Sequence, residues 1–265
     1  MKICCCIKQV PGTTEVKINP ETNTLVREGV ETQINPFDLY ALEEAVRVKE
    51  RMTAAGDPST VTVITMGPPQ AEDALREAIS LGADDAVLLC DRAVAGSDTW
   101  CTSYTLACGL KKLNADLVFC GMQAIDGDTG QVGPAIAVHM DTAQAAYLAE
   151  ISDINGSEMT ARRLTEEGYE VVKVKLPAVV TVVKEINEPR TPSLRGKMAA
   201  KKAQITVWSA ADIEADVDKV GLKGSPTQVV KIMTPPGRGG GDKFEGETEE
   251  LADKLFDTLK TMEVI

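Results

Sequence analysis

The chain has 265 residues, 43% of them hydrophobic and only 4% aromatic. At this length a fold buries about three quarters of its unfolded surface, so a core forms without disulfide or metal staples. With 28 Lys and Arg against 40 Asp and Glu, a net charge of −12, the chain is not expected to bind nucleic acid or an anionic membrane face, both of which require clustered cations.

The opening run Ile3–Val10 is apolar and ends at Pro11, the pattern of a strand buried in a parallel sheet. Residues 12–32 alternate around Asn19-Pro20-Glu21-Thr22-Asn23 and predict an excursion or hairpin. Asn35-Pro36 opens a helix with the stripe Leu39, Leu42, Ala45 and Val46, ended by Gly56-Asp57-Pro58. A strand at Val61–Met66, a helix through Ser80, a strand at Ala86–Cys90, a helix over 98–113 and a strand at Leu117–Cys120 follow. The loop Gly121–Pro134 then feeds another helix. Such alternation predicts βαβ units and a doubly wound, mostly parallel α/β sheet of Rossmann-like type. Ligands of these sheets lie beyond the strands' carboxyl ends, where strand order reverses. Lys8–Pro11, Met66–Pro69 and Gly121–Pro134 are the loops that leave those ends.

After residue 145 the pattern turns to short β-rich segments at 147–154, 157–164, 169–176 and 178–184, expected to extend the sheet with antiparallel strands. Asn155-Gly156 predicts a type I′ hairpin turn. The expected division is an α/β domain over 1–202, including a loop at 184–202, and a C-terminal arm over 203–265. The arm carries Pro235-Pro236, the run Gly237–Gly241, a polar helix at Thr248–Met262, and 12 acidic against 7 basic residues. The glycine run reads as a linker.

No run reaches the roughly 18 apolar residues of a membrane span, and Met1–Lys8 is too short for a signal sequence. Membrane insertion is not expected, and a cytoplasmic location is. The seven cysteines include no C-x-x-C pair, so they read as reduced, buried thiols rather than ligands of a metal or iron–sulfur cluster. Redox chemistry would then fall to an organic cofactor. The single histidine, His139, lies among Ala135, Ile136, Ala137, Val138 and Met140 and reads as structural.

The most informative stretch runs from Gly121 to Pro134. Glycines at 127, 130 and 133 permit close backbone approach to a ligand and positive φ. The following helix start offers free N–H groups and a positive dipole end, and Pro134 suits a first turn. The spacing is neither a Walker loop nor G-x-G-x-x-G. Asp126 and Asp128 fit beside a phosphate only if one caps the helix and the other faces a ribose hydroxyl or water. On spacing alone the stretch is either a phosphate cradle or an ordinary Gly/Asp turn. Residues 184–202 carry six basic and two acidic residues, a cationic loop suited to an anionic group or an acidic partner, or else to solvent. Pro189 and Pro192 restrain it and hold Leu194 outward.

The segment Val183–Lys202, with Asn187-Glu-Pro-Arg-Thr-Pro-Ser-Leu-Arg-Gly-Lys-Met198, resembles the signature of the electron-transferring flavoprotein β subunit. Four further segments agree in order: Ile7–Val10, Ile34–Phe37 with Leu42–Val46, Thr65–Gln70, and Gln123–Pro134. The resemblance covers residues 1–205. It implies an α/β nucleotide-binding fold and a heterodimer with an α subunit that holds an FAD. Ordinary members bind a structural AMP, and bifurcating members an FAD in the same cradle. The loop Asp126–Pro134 resembles the bifurcating group, with Gly130 where an Ala is expected.

By position, the resemblance implies nucleotide contacts from Cys6, Asn35, Met66, Gly121, Gln123, Asp126, Gly127, Asp128, Thr129, Gly130, Gln131, Val132 and Gly133. The phosphates would rest on the N–H groups of Thr129 to Val132. Leu194 aligns with a partner-anchoring leucine, with Arg190, Arg195 and Lys197 beside it. The activity implied is hydride uptake from NADH, then division of the electrons between ferredoxin or flavodoxin and the α-subunit FAD. That FAD feeds a flavin dehydrogenase of acyl-CoA or lactate type. No catalytic side chain is required.

Overall fold

The computed structural model describes residues 1–12, 31–230, 240–241 and 243–265. In chain order the strands are β1 (Lys2–Cys6), β2 (Gln9–Pro11), β3 (Thr32–Ile34), β4 (Thr60–Met66), β5 (Asp85–Leu89), β6 (Leu117–Gly121), β7 (Ala143–Ile154), β8 (Glu158–Thr165), β9 (Gly168–Lys175), β10 (Ala178–Val182) and β11 (Thr206–Trp208). The helices are α1 (Pro36–Ala54), α2 (Glu72–Ser80), α3 (Thr99–Leu113), α4 (Val132–Met140), α5 (Leu194–Lys202), α6 (Gly221–Gly224) and α7 (Thr248–Thr261).

Nine strands form one sheet in the order β11-β5-β4-β1-β6-β10-β7-β8-β9, and the fold is the expected mostly parallel α/β class. β1 can be apolar almost throughout because both faces of its sheet are covered. Ile3, Cys5 and Ile7 join the cluster that contains α1 and α2 residues, whereas Cys4 and Cys6 join the one that contains α3 and α4 residues. β1 pairs in parallel with β4 on one side and β6 on the other. The chain thus winds outward through β4 and β5, then returns across β1 to β6. This reversal sets a ligand crevice at the carboxyl ends of β1 and β6.

Several expectations change. β10 is not an antiparallel extension: it lies between β6 and β7 and runs parallel to both. Its five residues are all buried, as an inner strand of a covered sheet requires. Only β8 and β9 continue the sheet in antiparallel fashion. The β7–β8 hairpin forms, but neither Asn155 nor Gly156 has positive φ, so the turn is not type I′. Instead Asn155 Oδ1 accepts from the Ser157 and Glu158 N–H groups and shapes a three-residue connection. The hairpin expected within 12–32 lies largely outside the described residues, though its flanks β2 and β3 pair.

The domain boundary also moves. The chain divides into Met1–Val230 and Lys231–Ile265, not at 202. β11 pairs with β5 at the sheet edge, and Ala210, Ile213, Ala215 and Val220 bury in the α3–α4 layer. An open edge on β5 needs such a strand, and β11 is too short to announce itself by periodicity. No helix of the described residues is long and apolar enough to cross a membrane.

Candidate functional site

The loop between β6 and α4 is built from below. Asn35, fully buried at the start of α1, does not cap its own helix. Its Nδ2 donates to Gln123 O at 2.8 Å, and its Oδ1 accepts from Ile125 N at 3.1 Å. The N–H groups of Gly127 and Asp128 both donate to Ala124 O, at 3.2 and 2.8 Å. Asp128 and Gly130 then take left-handed conformations, φ +50° and +62°, and the chain enters α4.

Neither of the two aspartates caps α4. Asp126 pairs with Lys8 Nζ at 2.6 Å, and Asp128 Oδ1 accepts from Gln123 Nε2 at 2.9 Å. The residue before α4 is Gln131, which makes no side-chain cap; its Oε1 accepts from Thr99 Oγ1 at 3.0 Å. Both carboxylates are thereby held by polar partners. Among the described residues, the N–H groups of Thr129, Gly130, Gln131, Val132 and Gly133 have no protein acceptor, and the first helical bond is Ala135 N to Gln131 O at 3.0 Å. Five consecutive open amides at a helix N-terminus form a site for an anion, and phosphate fits it.

The glycines divide by role. A Cβ on Gly121 would strike Asp38 Oδ1 and the backbone of Phe37, and one on Gly133 would meet Thr181 Cγ2 at 2.5 Å. At these two positions the missing side chain makes room for packed neighbours. Gly127 has nothing within 4 Å of its Cβ position, and Gly130 only Met122 O at 3.7 Å and Tyr147 Oη at 3.8 Å. Gly127 and Gly130 are the open ones.

Two residues of this region escaped the sequence reading. Asp38 is a buried carboxylate under the loop. It accepts from Lys8 N at 2.8 Å and also from Gly121 N and the Asn35 side chain. Burial nevertheless pushes its pKa up to about 7. The only sequence signal was an acid in the first turn of an otherwise apolar helix face. Tyr147 reaches Gly130 from β7, and nothing in an alternating strand pattern announces that.

Of the other expected contacts, Cys6 is buried, its thiol held neutral by a hydrogen bond with Cys120 and by burial. Met66 is half-buried at the end of β4 and packs on the α3–α4 layer. His139 makes edge-on contacts to Trp100 and Tyr104, with centroids 5.2 and 5.6 Å apart, and burial lowers its pKa.

In the basic segment, Arg190 is held by two carboxylates of α1. Its guanidinium joins Glu43, whose side chain is buried, at 2.8 Å and Glu50 at 2.7 Å. Leu194 opens α5, capped by Ser193 Oγ accepting from Gly196 N at 3.0 Å, and is 77% exposed. Arg195 and Lys197 are exposed.

Fold and crevice together define an α/β protein whose candidate ligand site lies at the switch point of a parallel sheet, where open amides lead into a helix. Comparison with known families makes this specific. The Electron transfer flavoprotein domain matches residues 22–213. The electron transfer flavoprotein subunit beta of Thermoanaerobacterium thermosaccharolyticum is 47% identical over 266 residues, covering 100% of both chains. The caffeyl-CoA reductase–Etf complex subunit CarD of Acetobacterium woodii is also 47% identical, over 268 residues and 100% of both chains. Protein FixA of Bradyrhizobium diazoefficiens is 42% identical over 96% of this chain and 89% of its own. The chain belongs to the electron transfer flavoprotein family, as a β subunit acting in electron transfer.

Proposed function

We propose that this β subunit holds FAD by its diphosphate on the amides of Thr129–Gly133 and serves an electron-bifurcating flavoprotein. The run of five open N–H groups at the α4 N-terminus carries the reading. The residues fit the group. Lys8 and Gln123 hold the two nearby carboxylates, and Gly127 and Gly130 leave room for phosphate. When bound, FAD supplies hydride uptake from NADH and onward transfer of single electrons. The chain's own groups bind and orient: Asn35 fixes the loop from below, and the amides, with the helix dipole, set the phosphates.

The electrons then pass to ferredoxin or flavodoxin and to the FAD of an α subunit that feeds a flavin dehydrogenase. The caffeyl-CoA reductase–Etf complex named for the Acetobacterium relative supports an acyl-CoA-class dehydrogenase. Leu194, Arg195 and Lys197, exposed on α5, face that partner, and the second unit, Lys231–Ile265, packs on the α subunit.

Counting the cofactors released from the purified αβ heterodimer tests the proposal. Two FAD and no AMP per heterodimer is the expected result; one FAD with one AMP overturns it in favour of an ordinary, non-bifurcating carrier. The variant Gly130→Asp places a carboxylate at the amides and is expected to lose the nucleotide. An unchanged content in that variant removes the loop from the site.

A further inference from the structure

Where β7 passes β10 the register slips. Ala145 pairs with Val180 and Leu148 with Val182, so Ala146 and Tyr147 together face Thr181. Such a bulge adds a residue and re-aims the side chains beside it. Tyr147 takes φ +63°, a left-handed conformation that is costly for a bulky side chain and persists only where the surroundings impose it. The imposing bond is visible: Tyr147 N donates to Thr181 Oγ1 at 3.0 Å, and Thr181 is buried. The result is the aim of the ring. Tyr147 Oη stands 3.8 Å from the point a Cβ would occupy on Gly130, at the middle of the open amides. The side chain is 38% exposed, and among the described residues its hydroxyl donates to no protein acceptor.

We infer that Tyr147 is a ligand-contacting residue of this site, its phenol O–H donating to a phosphate oxygen of the bound nucleotide. The inference rests on the phosphate reading of the loop. Lys8, the cation placed at the loop, is committed to Asp126. The open amides are neutral donors, and the phenol beside Gly130 adds another. A bulge serving only to pack an aromatic ring would be satisfied by Phe, which has no hydroxyl to aim.

The test compares the αβ heterodimer carrying Tyr147→Phe with wild type and with Tyr169→Phe, an exposed phenol on β9. Release of FAD and AMP is followed after dilution, the loop nucleotide being the one that Gly130→Asp loses. Tyr147→Phe is expected to release that nucleotide about tenfold faster, the loss of one hydrogen bond to a charged group. Its thermal unfolding should match wild type, and Tyr169→Phe should behave as wild type. Release from Tyr147→Phe at the wild-type rate overturns the assignment while leaving the phosphate site standing. A wild-type heterodimer with no nucleotide that responds to Gly130→Asp overturns both.

Discussion

Asp38 joins three parts of the crevice through one carboxylate: the end of β1 at Lys8 N, the end of β6 at Gly121 N, and Asn35, which carries the loop. Burial raises its pKa from 3.8 to about 7. A carboxyl with a raised folded pKa takes up a proton more readily when folded, so its contribution to stability declines as pH rises from about 4 to about 7. Asp38→Asn lacks this titration. The melting temperature of the variant minus that of wild type is therefore expected to climb between pH 4 and 7. A difference that stays flat across a pH series of thermal melts rules the assignment out. At this scale the sequence located the loop but not the roles within it. Asp126 and Asp128 read as one capping the helix and the other facing a ribose hydroxyl or water, because a sequence shows neither that Lys8, 118 positions away, reaches Asp126 nor that Gln123 folds onto Asp128.

The element proposed above to face the dehydrogenase is α5, and its rigidity comes from neighbours distant in sequence. Arg76 Nη1 donates to the carbonyls of Ala200 at 2.7 Å and Ala203 at 3.1 Å, holding the end of the helix. A Cβ on Gly196 would strike Ser80 O, so that glycine lets α5 lie directly on α2. Arg190 ties the approach to α1 through Glu43 and Glu50. Two variants separate anchor from scaffold. Leu194→Ala removes an exposed side chain and should leave thermal unfolding and nucleotide content unchanged while slowing electron delivery to the dehydrogenase. Arg190→Met leaves Glu43 with Arg47 as its remaining partner at 2.7 Å. It should cost about 2 kcal/mol in denaturant unfolding, below the loss of a fully buried pair because Arg190 is part-exposed. Equal stability loss in both variants would contradict this division. The cationic, proline-marked segment was legible in the sequence, whereas the pairing of Arg190 with Glu43 and Glu50 was not.

Across the whole molecule, two units differ in how they are held. Met1–Val230 contains both apolar clusters, while α7 of the second unit buries none of its residues and leaves Leu255 and Phe256 50% and 56% exposed. A helix with an apolar stripe and no core of its own is suited to a partner. A chain ending at Val230 should therefore melt as the first unit does in the intact protein, yet fail to co-purify with the α subunit. Retained heterodimer in pull-down would refute the role given to residues 231–265.

The sequence by itself determined the alternation of strands and helices, the crevice loops and the family, because apolar periodicity, Gly and Pro punctuation and contiguous motifs are written locally. Tertiary structure alone decided that β10 slots in parallel beside β6, that β11 closes the β5 edge, that Arg190 pairs with Glu43 and Glu50 and that Tyr147 turns toward Gly130. Each of those outcomes depends on a partner far along the chain, such as Glu43, 147 positions from Arg190. Local patterns fix which segments are buried, but strand order and ion pairing are chosen only when those segments meet in space.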